Sequence, residues 1–211
     1  VKPGLVIAVD GPAAAGKGTL ARRLAADLGL PYLDTGLLYR ATGRRVLDAG
    51  ADPRDVVAAE AAARALAPSD VTRPDLRGPE ADMAASAVAA IPAVRAALLE
   101  WQREFGRAHG AVLDGRDIGT VVFPKAPLKL FVTASAEQRA HRRWLELRGR
   151  GVTADLQAVL SELRARDAQD AGRAVAPLKP AADALTLDTT ELDAEAAFQV
   201  ARRLVAERLG L

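Results

Sequence analysis

Gly11 and Gly16 are separated by four residues and Lys17 follows at once, within Asp10-Gly11-Pro12-Ala13-Ala14-Ala15-Gly16-Lys17-Gly18-Thr19. An apolar run precedes this stretch and a helical pattern follows it. Small residues let successive backbone N–H groups turn inward on a phosphate, and the next helix adds the positive end of its dipole. A lysine at this spacing reaches the outer phosphates as a point charge. With strand, spacing, lysine and helix all in place, this reads as a P-loop rather than an idle Gly/Ala turn. Gly18 stands where many such loops carry the Ser or Thr that ligates Mg²⁺, and Thr19 comes one residue later. Magnesium is therefore expected to rest mainly on phosphates and water, with Thr19 a weak ligand at most.

Two further stretches carry polar chemistry. Asp34-Thr35-Gly36 precedes Tyr39-Arg40. Thr35 is placed either to cap a helix or to line a polar site, and Arg40 either to bind a second phosphate or to sit solvated on the surface. Asp114-Gly115-Arg116-Asp117-Ile118-Gly119-Thr120 sets two carboxylates and an arginine among glycines. This suits a polar ligand, and it equally suits a turn with an internal ion pair.

The elements that must hold these residues follow from the hydrophobic pattern. Leu5 to Val9 is a continuous apolar run, the mark of a strand buried on both faces in a parallel sheet. Leu20, Leu24 and Leu28 give helical spacing from Lys17, closed by Gly29. Pro31 to Asp34 reads as a short strand and Thr35 to Leu47 as a helix. Residues 54–67 are Ala-rich and helical, and 68–79 form a loop with Pro68, Pro74, Gly78 and Pro79. Helices are predicted over 80–90 and 92–108, with Pro92 in a first turn. Ala111 to Asp114 and Leu128 to Val132 are strands, and helices follow over 135–149 and 153–168. Leu185 to Leu187 is the last strand and Ala194 to Leu209 the last helix. Strands alternating with helices define an α/β fold with a doubly wound, five-stranded parallel sheet, whose ligands lie beyond the strand carboxyl ends. The motifs above fall at those ends.

Composition narrows the function classes. The 211 residues fit one domain, half of them apolar and 27 % charged, which excludes wholesale disorder. The absence of cysteine excludes disulfides, thiolate metal sites and a cysteine nucleophile. A formal charge of +2 and 4 % aromatics argue against nucleic acid as the main partner. No run of 18 apolar residues is present, and the N-terminus lacks a signal-peptide core, so a cytoplasmic address is expected by default. His109 and His141 are isolated, without metal-ligand spacing. Val1-Lys2-Pro3 reads as a loose terminus.

The stretch from Asp114 to Pro124 closely resembles the signature of bacterial cytidylate kinases. So do Glu137 to Arg143, Arg166 to Leu178, and Ser86 to Arg95. The resemblance runs in order over nearly the whole chain, and Gly-Lys-Gly-Thr is the P-loop form of nucleoside monophosphate kinases. It implies that ATP and CMP or dCMP give ADP and CDP or dCDP, with Mg²⁺, in a monomer without nucleic-acid or membrane partners. It implies a single kinase domain over 1–211, with a monophosphate-binding lobe at about 35–108 and a lid at about 139–173.

Carried residue by residue, the resemblance puts Gly11, Pro12, Ala13, Ala14, Ala15, Gly16, Lys17, Gly18 and Thr19 on the ATP phosphates. Thr35, where the family usually has Ser, lines the monophosphate site, and Arg40 and Arg116 bind the acceptor phosphate. Ser86, Arg95 and Asp117 read the cytosine. Arg166 and Asp170 contact the ribose, and Arg173 the acceptor or the transferring group. Arg139 stacks on adenine, and Arg142 joins Lys17, Arg116 and Arg173 in stabilising charge. The spacing of Arg166, Asp170 and Arg173 puts them on one face if their helix continues, which is also the pattern of an ion-paired surface stripe. A kinase of another nucleotide and a slow P-loop switch are the rival readings.

The chain departs from the family elsewhere too, with Gln169 and Gly172 standing where the family is often charged or polar. The family usually carries a small β-part ahead of the Ser86 helix, whereas Leu66 to Arg77 is here a short Pro-rich loop, so little or no β-structure is expected. Ala14 stands where the family often has Gly, which raises the question of its backbone dihedrals.

Overall fold

The computed structural model describes residues 4–210. Val1-Lys2-Pro3, expected to be loose, lie outside the described residues. Five strands form one sheet, ordered β2-β3-β1-β4-β5, from β1 (Val6–Asp10), β2 (Tyr32–Asp34), β3 (Ala111–Gly115), β4 (Leu128–Thr133) and β5 (Leu185–Asp188). Strand β1 runs parallel to β3 and to β4, and β4 parallel to β5. Every residue of β1 and β3 is buried, as the apolar runs require. The helices are α1 (Lys17–Leu28), α2 (Thr35–Asp48), α3 (Val56–Arg64), α4 (Pro79–Ala89), α5 (Pro92–His109), α6 (Ala136–Gly149), α7 (Leu156–Ala171) and α8 (Ala194–Leu209). No single helix among the described residues is long and apolar enough to cross a membrane.

The chain divides by its contacts into two compact units, Asp34–Ala108 and the remainder. The remainder is built on the sheet. Ile7, Val9, Val112, Leu128 and Leu130 pack with Leu20 and Leu24 of α1 and with Phe198, Ala201 and Val205 of α8. A second cluster joins Ala13 of the P-loop to Ala140 and Leu147 of α6 and Val159 and Leu163 of α7.

The Asp34–Ala108 unit holds α2 to α5, and no strand lies between α2 and α4 among the described residues. Leu38, Val46, Val88, Val94 and Leu98 form its core. The Pro-rich loop contains one 3₁₀ turn, Asp70–Thr72, and buries Leu76. It is tied to α2 by Arg45–Asp70 at 3.1 Å and Arg73–Asp48 at 2.7 Å. Asp34, not Thr35, is the N-cap of α2, and its side chain makes no capping bond. Strand β2 runs through Asp34, so the helix opens at Thr35, whose buried side chain falls in the first turn.

Candidate functional site

The loop from Gly11 to Gly16 leaves the carboxyl end of β1, where the sheet order places β3 and β4 on either side. Gly11 has φ 154°, and a Cβ there would meet Val132 O at 2.0 Å, so only glycine lets the loop cross β4 this closely. Ala14 adopts φ 60°, the left-handed region. Its methyl makes that conformation cost roughly 1–2 kcal/mol relative to glycine. Gly16, at φ 86°, opens α1 without a side-chain cap, and the first turn of α1 has no acidic residue. The N–H groups at this helix end are thus unclaimed by a capping side chain, the arrangement that suits an anion.

Two side chains brace the loop from behind. Arg139 donates from Nη1 to Ala13 O at 3.2 Å and from Nε to Ala134 O at 2.9 Å, and it grips Asp167 at 2.6 Å. Thr189 Oγ1 lies 3.1 Å from Ala15 O and 3.1 Å from Thr133 O. Arg142 Nη1 donates to that hydroxyl at 3.0 Å, and Nη2 donates to Thr189 O and to Leu192 O. Arg139 is only 5 % exposed, and its guanidinium is held by Ala13 O, Ala134 O and Asp167. Arg142 is bound to the 189–192 turn.

Lys17 Nζ stands 4.0 Å from Asp114 Oδ2, and Tyr32 OH donates to Asp114 Oδ1 at 2.7 Å. Asp114 is buried at the end of β3. A Cβ on Gly18 would lie 3.6 Å from Asp114 Oδ2, so the position that usually carries a hydroxyl faces this carboxylate. Thr19 is exposed.

Beyond β3 the chain forms a single π-helical turn, Ile118–Val122, where sequence suggested only a loop. Asp10, the last residue of β1, is buried and accepts from Ile118 N at 2.8 Å and Gly119 N at 2.7 Å. Burial pushes its carboxyl up to about 6 against the two N–H bonds, with Asp117 adding to the rise and Lys17 opposing it. Asp117 is buried.

Arg116, Arg166 and Arg173 gather around Asp170. Arg116 Nε donates to Asp170 Oδ2 at 2.9 Å, and Arg173 Nη2 pairs with Asp170 Oδ1. The Asp170 side chain is 1 % exposed. Burial pushes its carboxyl up most strongly, yet the charges of Arg116, Arg173 and Arg166 together hold it below the usual carboxylate range. Helix α7 ends at Ala171, so Arg173 does not continue a helical face. The chain turns at Gly172 and brings Arg173 back to Asp170.

In the Asp34–Ala108 unit, Arg40 is not a solvated surface residue. Its Nε donates to Asp82 Oδ1 at 3.0 Å, joining α2 to α4. Ser86 is half-buried on α4. Arg95, buried on α5, donates to Ala89 O at 3.2 Å and lies 5.2 Å from the centre of the Tyr39 ring.

Sequence reasoning missed Asp10, Asp167 and Thr189 as organisers. A signal was available for Asp10: a carboxylate that ends a fully buried strand must find donors.

A sheet of this order with a braced P-loop defines a P-loop nucleotide-binding protein. The cytidylate kinase family model matches residues 7–207. The cytidylate kinase of Granulibacter bethesdensis is 66 % identical over 97 % of this chain and 98 % of its own. That of Acidiphilium cryptum is 62 % identical over 95 % of each. Among solved structures, an uncharacterized protein from Eubacterium ventriosum aligns with TM-score 0.57 at 11 % identity, covering 95 % of this chain and 98 % of that one. TT1252 from Thermus thermophilus aligns with TM-score 0.50 at 21 % identity over 99 % of each. These two share the fold. The chain belongs to the cytidylate kinase family.

Proposed function

We infer that the protein transfers the γ-phosphoryl group of ATP to CMP or dCMP. The arginine cluster around Asp170, in the same compact unit as the braced P-loop, carries this reading: one anion site serves the donor and the other the acceptor. An oxygen of the acceptor phosphate attacks the γ-phosphorus in line. The bond from γ-phosphorus to the bridging oxygen breaks, and ADP leaves with the electron pair. The acceptor phosphate is already anionic, so the chain needs no strong general base. It needs positioning and charge. We assign these to Lys17 on the outer phosphates and to Arg116 and Arg173 on the acceptor and transferring groups.

Asp170 and Arg166 are assigned to the ribose, Thr35 and Arg40 to the acceptor phosphate, and Ser86, Arg95 and Asp117 to the cytosine. Arg139 and Arg142 are positioning residues behind the P-loop. We assign the monophosphate-binding lobe to about 35–108 and the lid to about 139–173. The family resemblance supports a monomer at work in the cytoplasm.

Mg²⁺ fits the residues present. A hard cation of this kind is held mainly by phosphates and water with one or two protein oxygens. Thr19 and Asp114, the latter facing Gly18, are the oxygen donors at hand. When bound, the ion neutralises phosphate charge.

The test is ADP formation from ATP and Mg²⁺ with CMP, dCMP, UMP, AMP, GMP or no acceptor. Turnover confined to CMP and dCMP is expected. Preference for another acceptor overturns the base assignment, and equal slow turnover in every tube overturns the transfer reading.

A further inference from the structure

Asp10 takes no part in the transfer just described, yet it is buried at the heart of the site. The sheet register sets it opposite Gly115. Its carboxylate accepts from Ile118 N and Gly119 N at 2.8 and 2.7 Å, the N–H groups that follow directly on Arg116 and Asp117. The close fit is visible at Gly119, where a Cβ would meet Lys129 Cδ at 3.0 Å and Asp10 Oδ2 at 3.3 Å. The far end of the same segment is held from β4, where Lys129 Nζ donates to Pro124 O at 2.6 Å and to Asp183 at 2.8 Å.

We propose that Asp10 is a positioning residue for the acceptor nucleotide: by gripping the Ile118 and Gly119 N–H groups, it fixes the backbone from which Arg116 and Asp117 project. The proposal rests on the reading that those two residues bind the acceptor. Only an ionised carboxylate suits the task, because both oxygens must accept. An amide or a protonated acid offers one acceptor and turns a donor toward the second N–H. Lys17 of α1 and Asp117 of the gripped loop are the charged groups that act on it, while the Lys129 ammonium of β4 is bound to Pro124 O and Asp183. With the carboxyl pushed up to about 6 by burial, the grip is complete near pH 7.5 and fails as pH falls through that value.

Two measurements test this. In ¹H–¹⁵N spectra recorded without nucleotide, so that phosphate ionisation does not intrude, the Ile118 and Gly119 amides should titrate together near pH 6. In Asp10→Asn that transition should vanish. In steady-state kinetics at pH 7.5, Asp10→Asn should raise KM for CMP about tenfold, with KM for ATP within about twofold, because a displaced positioning group costs tens-fold without removing chemistry. Gly119→Ala displaces the same N–H from the other side and should raise KM for CMP in the same sense, which covers the case that Asp10→Asn folds poorly. Static amides between pH 5 and 7.5, or KM for ATP rising as much as KM for CMP, overturn the proposal. Wild-type failure to use CMP overturns the functional reading and the proposal with it. Normal wild-type turnover with an unchanged KM in Asp10→Asn overturns the proposal alone.

Discussion

Asp170→Asn removes one negative charge from among three arginines and leaves the shape nearly unchanged. Asp170 is 1 % exposed, and the Arg116 and Arg173 side chains paired with it are 17 % and 7 % exposed. Breaking a buried pair from one side costs roughly 3–5 kcal/mol. Asparagine keeps one acceptor for one arginine, which recovers about 1 kcal/mol and leaves about 3. For a chain of this size each kcal/mol moves Tm by about 2–4 °C, so Tm should fall by roughly 6–12 °C at pH 7.

The pH dependence has a definite sign. The three arginines hold the Asp170 carboxyl below its unfolded value, so the stability it contributes is fully present above about pH 4. It is lost as pH falls through the depressed folded value. The Tm gap between wild type and Asp170→Asn should therefore stay constant from pH 8 to 5 and narrow below about pH 4. Inorganic phosphate should raise the Tm of the variant more than that of the wild type, by replacing the missing anion. KM for CMP should rise at least about tenfold, because the arginines lose their orientation. Thermal unfolding with and without phosphate, together with CMP kinetics, gives all four readings. A variant within about 2 °C of wild type at pH 7, with an unchanged KM for CMP, would refute the idea that Asp170 organises the cluster.

Two further predictions follow from the P-loop. Lys17→Ala should lower kcat by roughly 10²–10³-fold or more, since it removes a cation directed at developing charge. Near-normal turnover measured by ADP release would contradict the assigned role. Thr189→Val leaves Ala15 O without its hydroxyl partner and should cost about 1–3 kcal/mol in urea unfolding. It should raise KM for ATP severalfold and leave KM for CMP nearly fixed. Thr189→Ser should restore both, and a valine variant with wild-type KM for ATP would remove the brace from the argument.

The parts of the fold that depend on local pattern were legible in the chain. The run Leu5 to Val9 has no polar face to alternate, which only a strand covered on both sides tolerates, and Val6–Asp10 is that strand. The P-loop was legible because glycine positions and lysine spacing are themselves the mechanism. The turn at Ile118–Val122 was not legible, because five residues carry no period and its shape is set by Asp10, 108 residues earlier in the chain. Asp34 and Thr35 are both capping types, and the choice between them was made by where β2 ends. Ala14 shows the reverse case. Its type hinted at a dihedral question, and the left-handed φ of 60° answers it at a cost that the surrounding contacts outweigh.

The arginines show most clearly why residue type alone could not assign roles. Eight lie between residues 139 and 173, in a stretch that composition could describe only as cationic with acidic interruptions. The acidic and carbonyl partners separate them. Arg139 meets Asp167 and the Ala13 carbonyl, and Arg142 meets Thr189, so their donors serve the scaffold. Arg116, Arg166 and Arg173 instead share one carboxylate, Asp170. The charges of all three act on this one buried carboxylate, and a phosphate monoester carries up to two negative charges near neutral pH. A fully neutralised cluster would hold its arginines in place and attract nothing. A cluster with no carboxylate would attract anions but repel itself apart. On the proposed reading, a single buried Asp orients guanidinium groups that meet the acceptor phosphate, and that arrangement is what Asp170→Asn should disturb.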